Sequence, residues 1–300
     1  MHSSPLQGTN PFLSELTVDK ERRRTFLAPA KINLCLHVLG RRTDGYHDLA
    51  MVMQRVSLYD RVELALSEHP GVRASCPGLV LPEGGENIAA SAARLLLKRV
   101  GSASGVDILV EKNIPAAAGL GGGSSDAAAV LMGLNEMLGA GLTREELMAM
   151  GGELGADVPF FIFQDAAWAT GVGDVLEKLP GLPPVWYVLV NPGISVSTAW
   201  VYRNLGLTST GGVAKMPRFF RTSGELVRLL HNDLERVTIA RHPQVAEIKG
   251  RLLDLGAEGS LMSGSGPTVF GVFASEGAAQ GALEALGQTP GWRTFGVRPL

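Results

Sequence analysis

Apolar positions along the chain change period several times, and each change marks an element. From Leu27 to Leu39 the residues are mostly apolar, bounded by Pro29 and Gly40, which predicts a strand running into a turn at Arg41-Arg-Thr-Asp-Gly45. Gln54 to Leu66 alternates polar and apolar residues. Gly105-Val-Asp-Ile-Leu-Val-Glu-Lys112 does the same more regularly, with Val106, Ile108 and Val110 on one face, so both predict strands of a half-buried mixed or antiparallel sheet. Between them the period lengthens: Ala89, Ala93, Leu96 and Leu97 form a helical stripe behind Asn87, a suitable N-cap, and this helix should pack on the sheet. A second helix, rich in alanine and leucine, is expected from about Ser124 to Leu138. A third opens at Thr143-Arg-Glu-Glu146, which has capping-box spacing, and ends at Gly155, with a loop beyond.

Leu179-Pro-Gly-Leu-Pro-Pro184 can continue neither a helix nor a central strand, so a domain boundary is expected there. This divides the chain into an irregular extension over 1–26, a first domain over 27–182 and a second over 183–300. Past the boundary come a strand at Trp186 to Val190, helices near Ser223-His231, Pro243-Leu255 and Glu276-Leu286, and short strands around Val269-Phe273 and Trp292-Val297. Strands and helices mixed in this way give an α+β fold class.

Composition narrows the function classes. Three hundred residues, 45% of them hydrophobic, are enough to enclose a substantial core. A net charge of -2, with Glu21-Arg22-Arg23-Arg24 the densest basic block, gives no footprint for nucleic acid or an anionic membrane. No apolar run reaches the roughly 18 to 20 residues that span a bilayer. Cys35 and Cys76 are too few for a disulfide framework or a four-ligand zinc site, which points to a reducing, cytoplasmic setting. Glu15, Asp19 and Glu21 argue against a transit peptide, and the extension, with Arg22-Arg-Arg24, is expected to be solvated.

Gly119-Leu-Gly-Gly-Gly-Ser-Ser-Asp126 has the makings of an anion site: glycines let backbone approach a ligand, and free N–H groups at a helix N-terminus face it with the dipole behind them. It is neither a Walker motif, which ends in Gly-Lys-Ser/Thr, nor a dinucleotide fingerprint, which needs glycine where Ser124 stands. By itself it reads as a phosphate cradle or a flexible turn. Lys31, in Ala28-Pro-Ala-Lys31-Ile-Asn33, reads as a functional cation or an edge-strand surface lysine, and Asp157, in Gly155-Ala-Asp157-Val-Pro159, as a functional carboxylate or a capping residue. If the two meet beside the glycines, the carboxylate can accept a hydroxyl proton while the ammonium stabilises developing negative charge.

Pro29-Ala-Lys31-Ile-Asn33, Asp44-Gly-Tyr46-His47, Pro115-Ala-Ala-Ala-Gly-Leu-Gly-Gly-Gly-Ser-Ser-Asp126, Gly155-Ala-Asp157-Val-Pro159 and Ser263-Gly-Ser-Gly-Pro-Thr268 together resemble the GHMP kinase superfamily, from about Ala28 to the C-terminus. The resemblance implies a two-domain GHMP kinase fold: an N-terminal ATP-binding domain with mixed sheet and helices, and a C-terminal α/β sandwich-like domain. It implies ATP and Mg2+ as cofactors and Lys31 and Asp157 as catalytic residues. The ATP phosphates are expected along Pro115, Ala116, Ala117, Ala118, Gly119, Leu120, Gly121, Gly122, Gly123, Ser124 and Ser125, and the adenine beside Asn87 and Lys112, which otherwise read as a helix cap and an exposed strand lysine. Tyr46 and His47 are implied to hold the cytidine end of a small-molecule substrate carrying a cytidine diphosphate group, with Asn33, Thr198 and Tyr202 nearby; without the resemblance, Tyr46 and His47 read as surface aromatics after a hairpin turn.

The implied reaction is phosphoryl transfer from ATP to the tertiary hydroxyl of a cytidylylated methylerythritol, in the non-mevalonate route to isoprenoid precursors. Homoserine, mevalonate and sugar kinases of the superfamily remain alternatives, as does a nucleotide-binding protein without catalysis. No acidic pair announces a protein cage for magnesium, so no metal ligand is assigned. Neither nucleic acid nor membrane is expected as a partner, and either a monomer or a homodimer is compatible. Ala117 and Ala118 stand where some relatives have glycine, and alanine there is expected to keep ordinary backbone angles. The late turn at Ser263 to Gly266 either closes over the site or simply connects two strands.

Overall fold

The protein is described by a computed structural model covering residues 22–78, 86–206 and 220–300. Most of the expected extension, residues 1–21, lies outside these. The first strand, β1 (Arg23–Arg41), begins well before Leu27, and Arg23 to Phe26 pair with Ala65 to Val62 of β2 (His47–Ser67). The arginines expected to be solvated are ordered against the body: Arg22 meets Glu68 at 3.0 Å, Arg23 meets Glu63 at 2.7 Å and Arg24 meets Glu136 at 2.8 Å. β2 also starts earlier than its alternating pattern suggested. Leu49 to Met53 are buried on both faces, so no polar residue marks the period.

β1 and β2 run antiparallel along their whole length, from Arg23 opposite Ala65 to Arg41 opposite His47. β3 (Val72–Ser75) and β4 (Gly105–Glu111) extend the sheet beside the second half of β2. A hairpin the sequence did not signal, β5 (Ala167–Gly171) and β6 (Val175–Lys178), extends it beside the first half. On the other edge, β8 (His231–Asn232), two residues from the second half of the chain, pairs with Cys35 and Leu36. A second sheet, all antiparallel, has the order β11 (Arg293–Val297), β7 (Trp186–Asn191), β10 (Val269–Phe273), β9 (Gly259–Met262).

The helices of the first half follow their caps. α1 (Ile88–Val100) starts at Asn87, whose side chain accepts from the Ala89 amide. α2 (Gly122–Met137) begins two residues before the expected Ser124. α3 (Arg144–Leu154) carries the full reciprocal capping box of Thr143 and Glu146. Thr143→Ala should lower the unfolding free energy by about 1 kcal/mol, read as a shift of the denaturant midpoint. The loop expected after Gly155 contains a short helix, α4 (Val158–Phe163), with Pro159 in its first turn.

The second half adds α5 (Thr198–Arg203), α6 (Ser223–Leu229), α7 (Glu235–Arg241), α8 (Gln244–Asp254) and α9 (Glu276–Gly287). α6 stops short of the expected His231, which is drawn into β8. Among the described residues no helix is long and apolar enough to cross a membrane.

The proline-rich segment lies between strands of the two sheets without separating two cores. Ile32, Leu34, Val52 and Val56 of the first sheet pack in one cluster with Tyr187, Leu189, Phe270 and Val272 of the second, and Leu179 and Val185, at the two ends of the linker, are buried in it. Each such large apolar side chain contributes about 1.5–3 kcal/mol on burial, so the two domains hold one another in place. A cavity lined by residues of both halves lies where they meet.

Candidate active site

Lys31 stands on β1 with 5% of its surface exposed. A buried ammonium needs partners, and it has two: it donates to Asn33 Oδ1 at 2.7 Å and faces Asp157 Oδ2 at 3.4 Å. Asp157 caps the start of α4 without a side-chain capping bond, so its carboxylate, about a third exposed, is free to face the cleft. Asn33 is fully buried; its amide N–H donates to Ser263 Oγ, and its side chain sits beside Met51. The two residues that the sequence could only conjecture to meet are therefore an ion pair.

The glycine-rich segment lies across β1, where the Lys31 amide donates to the Leu120 carbonyl at 2.9 Å. Ala117 has φ +48°, so it does not keep the ordinary angles expected of alanine and sits in the left-handed region instead. Gly119, φ +76°, is pressed against the turn at Ser263: a Cβ there would fall 2.0 Å from the Ser263 carbonyl oxygen. That turn does more than connect β9 to β10. Ser263 Oγ donates to the Gly119 carbonyl at 2.9 Å, the Thr268 amide donates to the Ala118 carbonyl, and Gly264 and Ser265 line the cavity. Gly122 and Gly123 open α2, and their unbonded amides head the helix dipole.

Lys112 is not the exposed strand lysine of the alternative reading. Its ammonium is largely buried and bridges Asp60 and Asp126, the latter at 2.7 Å. Asp60, fully buried on β2, also accepts from the Asn113 and Ile114 amides at 2.6 and 2.8 Å, and so fixes the approach to the glycine segment. Burial pushes the Asp126 carboxyl up to about 7; Lys112 pulls against this and the Asp60 carboxylate adds to it. Between about pH 4, where a free aspartate titrates, and about 7, the folded form holds this proton and the unfolded form does not, so stability falls as pH rises through that window. Asp126→Asn, which mimics the protonated group, should gain in unfolding free energy over the wild type between pH 5 and pH 8. A flat difference across urea titrations at those pH values would count against this account.

At the other end of the cleft, the Asp44-Gly45 turn is held by Arg42, which pairs with Asp44 at 3.0 Å and Asp48 at 3.1 Å, while the Tyr46 amide donates to Asp44 Oδ1. His47 stacks on Tyr202 with ring centroids 4.9 Å apart. Burial, aided by the Asp157 carboxylate, pushes the Tyr202 phenol well above its ordinary value. Tyr46 stands apart on the rim, 64% exposed. Thr198, at the start of α5, shares a 2.8 Å hydrogen bond with Ser265.

One cavity of about 1170 Å³ gathers nearly all of these residues. Lys31, Asn33, Tyr46, His47, Asn87, Lys112, Asp157, Thr198 and Tyr202 line it together with Pro115 to Gly119, Gly121 to Gly123 and Ser124. Leu120 and Ser125 are the exceptions: the Leu120 side chain is buried in the core between the sheets, and the Ser125 hydroxyl is enclosed in protein without a partner. Sequence reasoning missed Asp60, Arg41 and Arg203, and assigned Asp126 no role; Ser265 lies in the Ser263 to Gly266 turn that it had as closing over the site. Asp60 did leave a signal, since it interrupts the apolar face formed by Val56, Leu58, Val62 and Leu64.

The chain is similar to known proteins along most of its length. Residues 87–165 match the family of GHMP kinases N-terminal domains, and residues 217–290 match the GHMP kinases C-terminal family. The chain is 63% identical over 276 residues to a 4-diphosphocytidyl-2-C-methyl-D-erythritol kinase of Syntrophotalea carbinolica, covering 92% of this chain and 99% of that one. It is 54% identical to the enzyme of the same name from Geobacter metallireducens, over 92% and 98% of the two chains. Among solved structures it resembles a 4-(cytidine 5'-diphospho)-2C-methyl-D-erythritol kinase, with a TM-score of 0.77, 38% identity, and coverage of 92% and 99%. The fold is shared with a homoserine kinase from Cytophaga hutchinsonii at a TM-score of 0.70, 20% identity, and coverage of 92% and 95%. Identity of 63% over 92% of the chain to the Syntrophotalea carbinolica relative, with matches to both GHMP kinase domains, shows that the chain belongs to the 4-diphosphocytidyl-2-C-methyl-D-erythritol kinase family of the GHMP kinases.

Proposed function

We propose that the chain transfers the γ-phosphoryl group of ATP to the tertiary 2-hydroxyl of 4-diphosphocytidyl-2-C-methyl-D-erythritol, a step toward isoprenoid precursors. The observation that carries this is the 3.4 Å Lys31–Asp157 pair in the same cavity as the α2 N-terminus and the His47–Tyr202 stack. In this reading Asp157 takes the hydroxyl proton. Lys31, held by Asn33, pairs with that carboxylate and steadies the negative charge that develops on transfer. Phosphoryl transfer asks mostly for positioning and charge stabilisation, which suits a cleft between two domains that share a core.

The phosphates of ATP would lie along Gly119 to Ser124, with backbone amides as donors, and the adenine near Asn87 and Lys112. The cytosine would meet His47 and Tyr202, with Tyr46 at the rim. The donor set fits Mg2+ carried in by the nucleotide: the Ser124 hydroxyl lines the cavity, while the carboxylates of Asp126 and Asp157 face lysines, so nucleotide oxygens and water would supply most ligands. When bound, the ion neutralises phosphate charge. We further read the enzyme as cytoplasmic, without nucleic-acid partners, and as a monomer or homodimer.

A coupled assay for ADP release, run with the cytidylyl substrate beside homoserine, mevalonate and galactose, tests the reading. Turnover with the cytidylyl substrate alone is the expected result, and preference for another acceptor would overturn it. His47→Ala should raise KM for that substrate while leaving KM for ATP in place.

A further inference from the structure

Four cationic side chains other than histidine line the cavity: Lys31, Arg41, Lys112 and Arg203. Both lysines are matched by carboxylates, Lys31 by Asp157 and Lys112 by Asp60 and Asp126. Among the described residues neither Arg41 nor Arg203 forms an ion pair. The contrast with the next residue is direct, since Arg42 is held by both Asp44 and Asp48. Arg203 spends its Nε on the Ala199 carbonyl at 3.2 Å, which fixes the base of the guanidinium and leaves its two terminal nitrogens free.

Both unmatched arginines belong to the end of the cavity that holds the aromatic stack. Arg41 sits opposite His47 in the β1–β2 ladder, and its charge, after burial, contributes to lowering the His47 pKa. Arg203 follows Tyr202, the ring stacked on His47. The chain carries a net charge of -2, so this local excess of positive charge is not a reflection of the whole molecule. Unneutralised guanidiniums beside a pair of stacking rings have the chemistry of a nucleoside diphosphate site, because the planar guanidinium fork matches phosphate oxygens and the rings suit the base.

We propose that Arg41 and Arg203 clamp the diphosphate of the acceptor substrate, and so select a nucleoside-diphosphate-linked polyol over an uncharged or singly phosphorylated one. The inference rests on the cytidylyl-kinase reading above and adds the residues that recognise the linking phosphates. Each arginine contributes charge-assisted hydrogen bonds, so each should be worth about tenfold in substrate binding.

The test is Arg41→Gln, Arg203→Gln and the double variant, assayed with the cytidylyl substrate and ATP, with CDP, CMP and cytidine as competing ligands. In the double variant KM for the cytidylyl substrate should rise by about 30-fold or more, with kcat within about threefold and KM for ATP unchanged. In the wild type CDP should compete better than CMP and far better than cytidine. That ranking should flatten in the double variant and return in part when both positions are lysine, an outcome a merely structural role would not give. An unmoved KM for the acceptor, a rise in KM for ATP instead, or a CDP-to-cytidine ratio equal in variant and wild type would each overturn the clamp while leaving the kinase reading intact. A wild-type enzyme that leaves the cytidylyl substrate unphosphorylated would remove both.

Discussion

Asp157→Asn should lower kcat by about 10²- to 10⁴-fold, the range for losing a positioned general base, while KM for both substrates stays within a few-fold. Asparagine keeps the shape of the side chain and can still accept from Lys31, so geometry is preserved and basicity is lost. The fold should tolerate it, because the Asp157 side chain makes no capping bond to α4 and is a third exposed. Lys31→Met removes the other half of the pair, along with a hydrogen bond to the fully buried Asn33. The two losses should not add: once either member is gone the other has little left to act with, so the double variant should be only slightly slower than the worse single one. Comparing the single variants also separates two mechanisms. If proton abstraction dominates, Asp157→Asn is the slower enzyme; if charge stabilisation in a loose transition state dominates, Lys31→Met is. Turnover of Asp157→Asn within tenfold of wild type would take Asp157 out of the chemistry.

How far the sequence revealed this site depends on what kind of physics each residue expresses. Caps and strict alternation are local, and they were legible: Asn87, the Thr143–Glu146 box and β4 appear as expected. β5 and β6 were not, because strands of five and four residues around a tight turn carry too few periods to stand out. The start of β2 was hidden for the opposite reason, since burial on both faces removes the polar residues that would show the period.

The site followed the same rule. Lys31 and Asp157 lie 126 positions apart and no local pattern joins them; what drew attention to Lys31 was a charge inside an apolar run. The same anomaly marks Asp60, a carboxylate on the apolar face of an alternating strand, and a buried carboxylate demands a partner. Which partner, Lys112 and two backbone amides, is tertiary information. Arg41 and Arg203 gave no anomaly at all, because an exposed arginine at the end of a strand or a short helix is ordinary until the carboxylates around it are counted.

Gly119→Ala should be among the most damaging single substitutions in the segment, although the added group is one methyl. The residue has φ +76°, where an L side chain costs about 1–2 kcal/mol. The new Cβ would also fall 2.0 Å from the Ser263 carbonyl oxygen, a backbone atom that cannot swing aside. The Ser263 turn would have to retreat, breaking its bond to the Gly119 carbonyl and disturbing Asn33, whose amide donates to Ser263 Oγ. Strain and overpacking together should cost about 2–5 kcal/mol of unfolding free energy, and kcat should fall because Asn33 positions Lys31. Gly123→Ala is the contrast: its φ is not in the left-handed region, and its Cβ would meet only Ile88 Cγ2 at 3.6 Å, an ordinary contact. In a helix, alanine is favoured over glycine by about 0.8–1 kcal/mol, so Gly123→Ala should be at least as stable as wild type. Any loss it shows should appear in KM for ATP, as expected if the backbone there approaches a phosphate. Urea midpoints and ATP titrations of the two variants therefore separate the glycine that closes two loops on each other from the glycine that leaves room for the nucleotide; equal stability in both would contradict the role assigned here to Gly119.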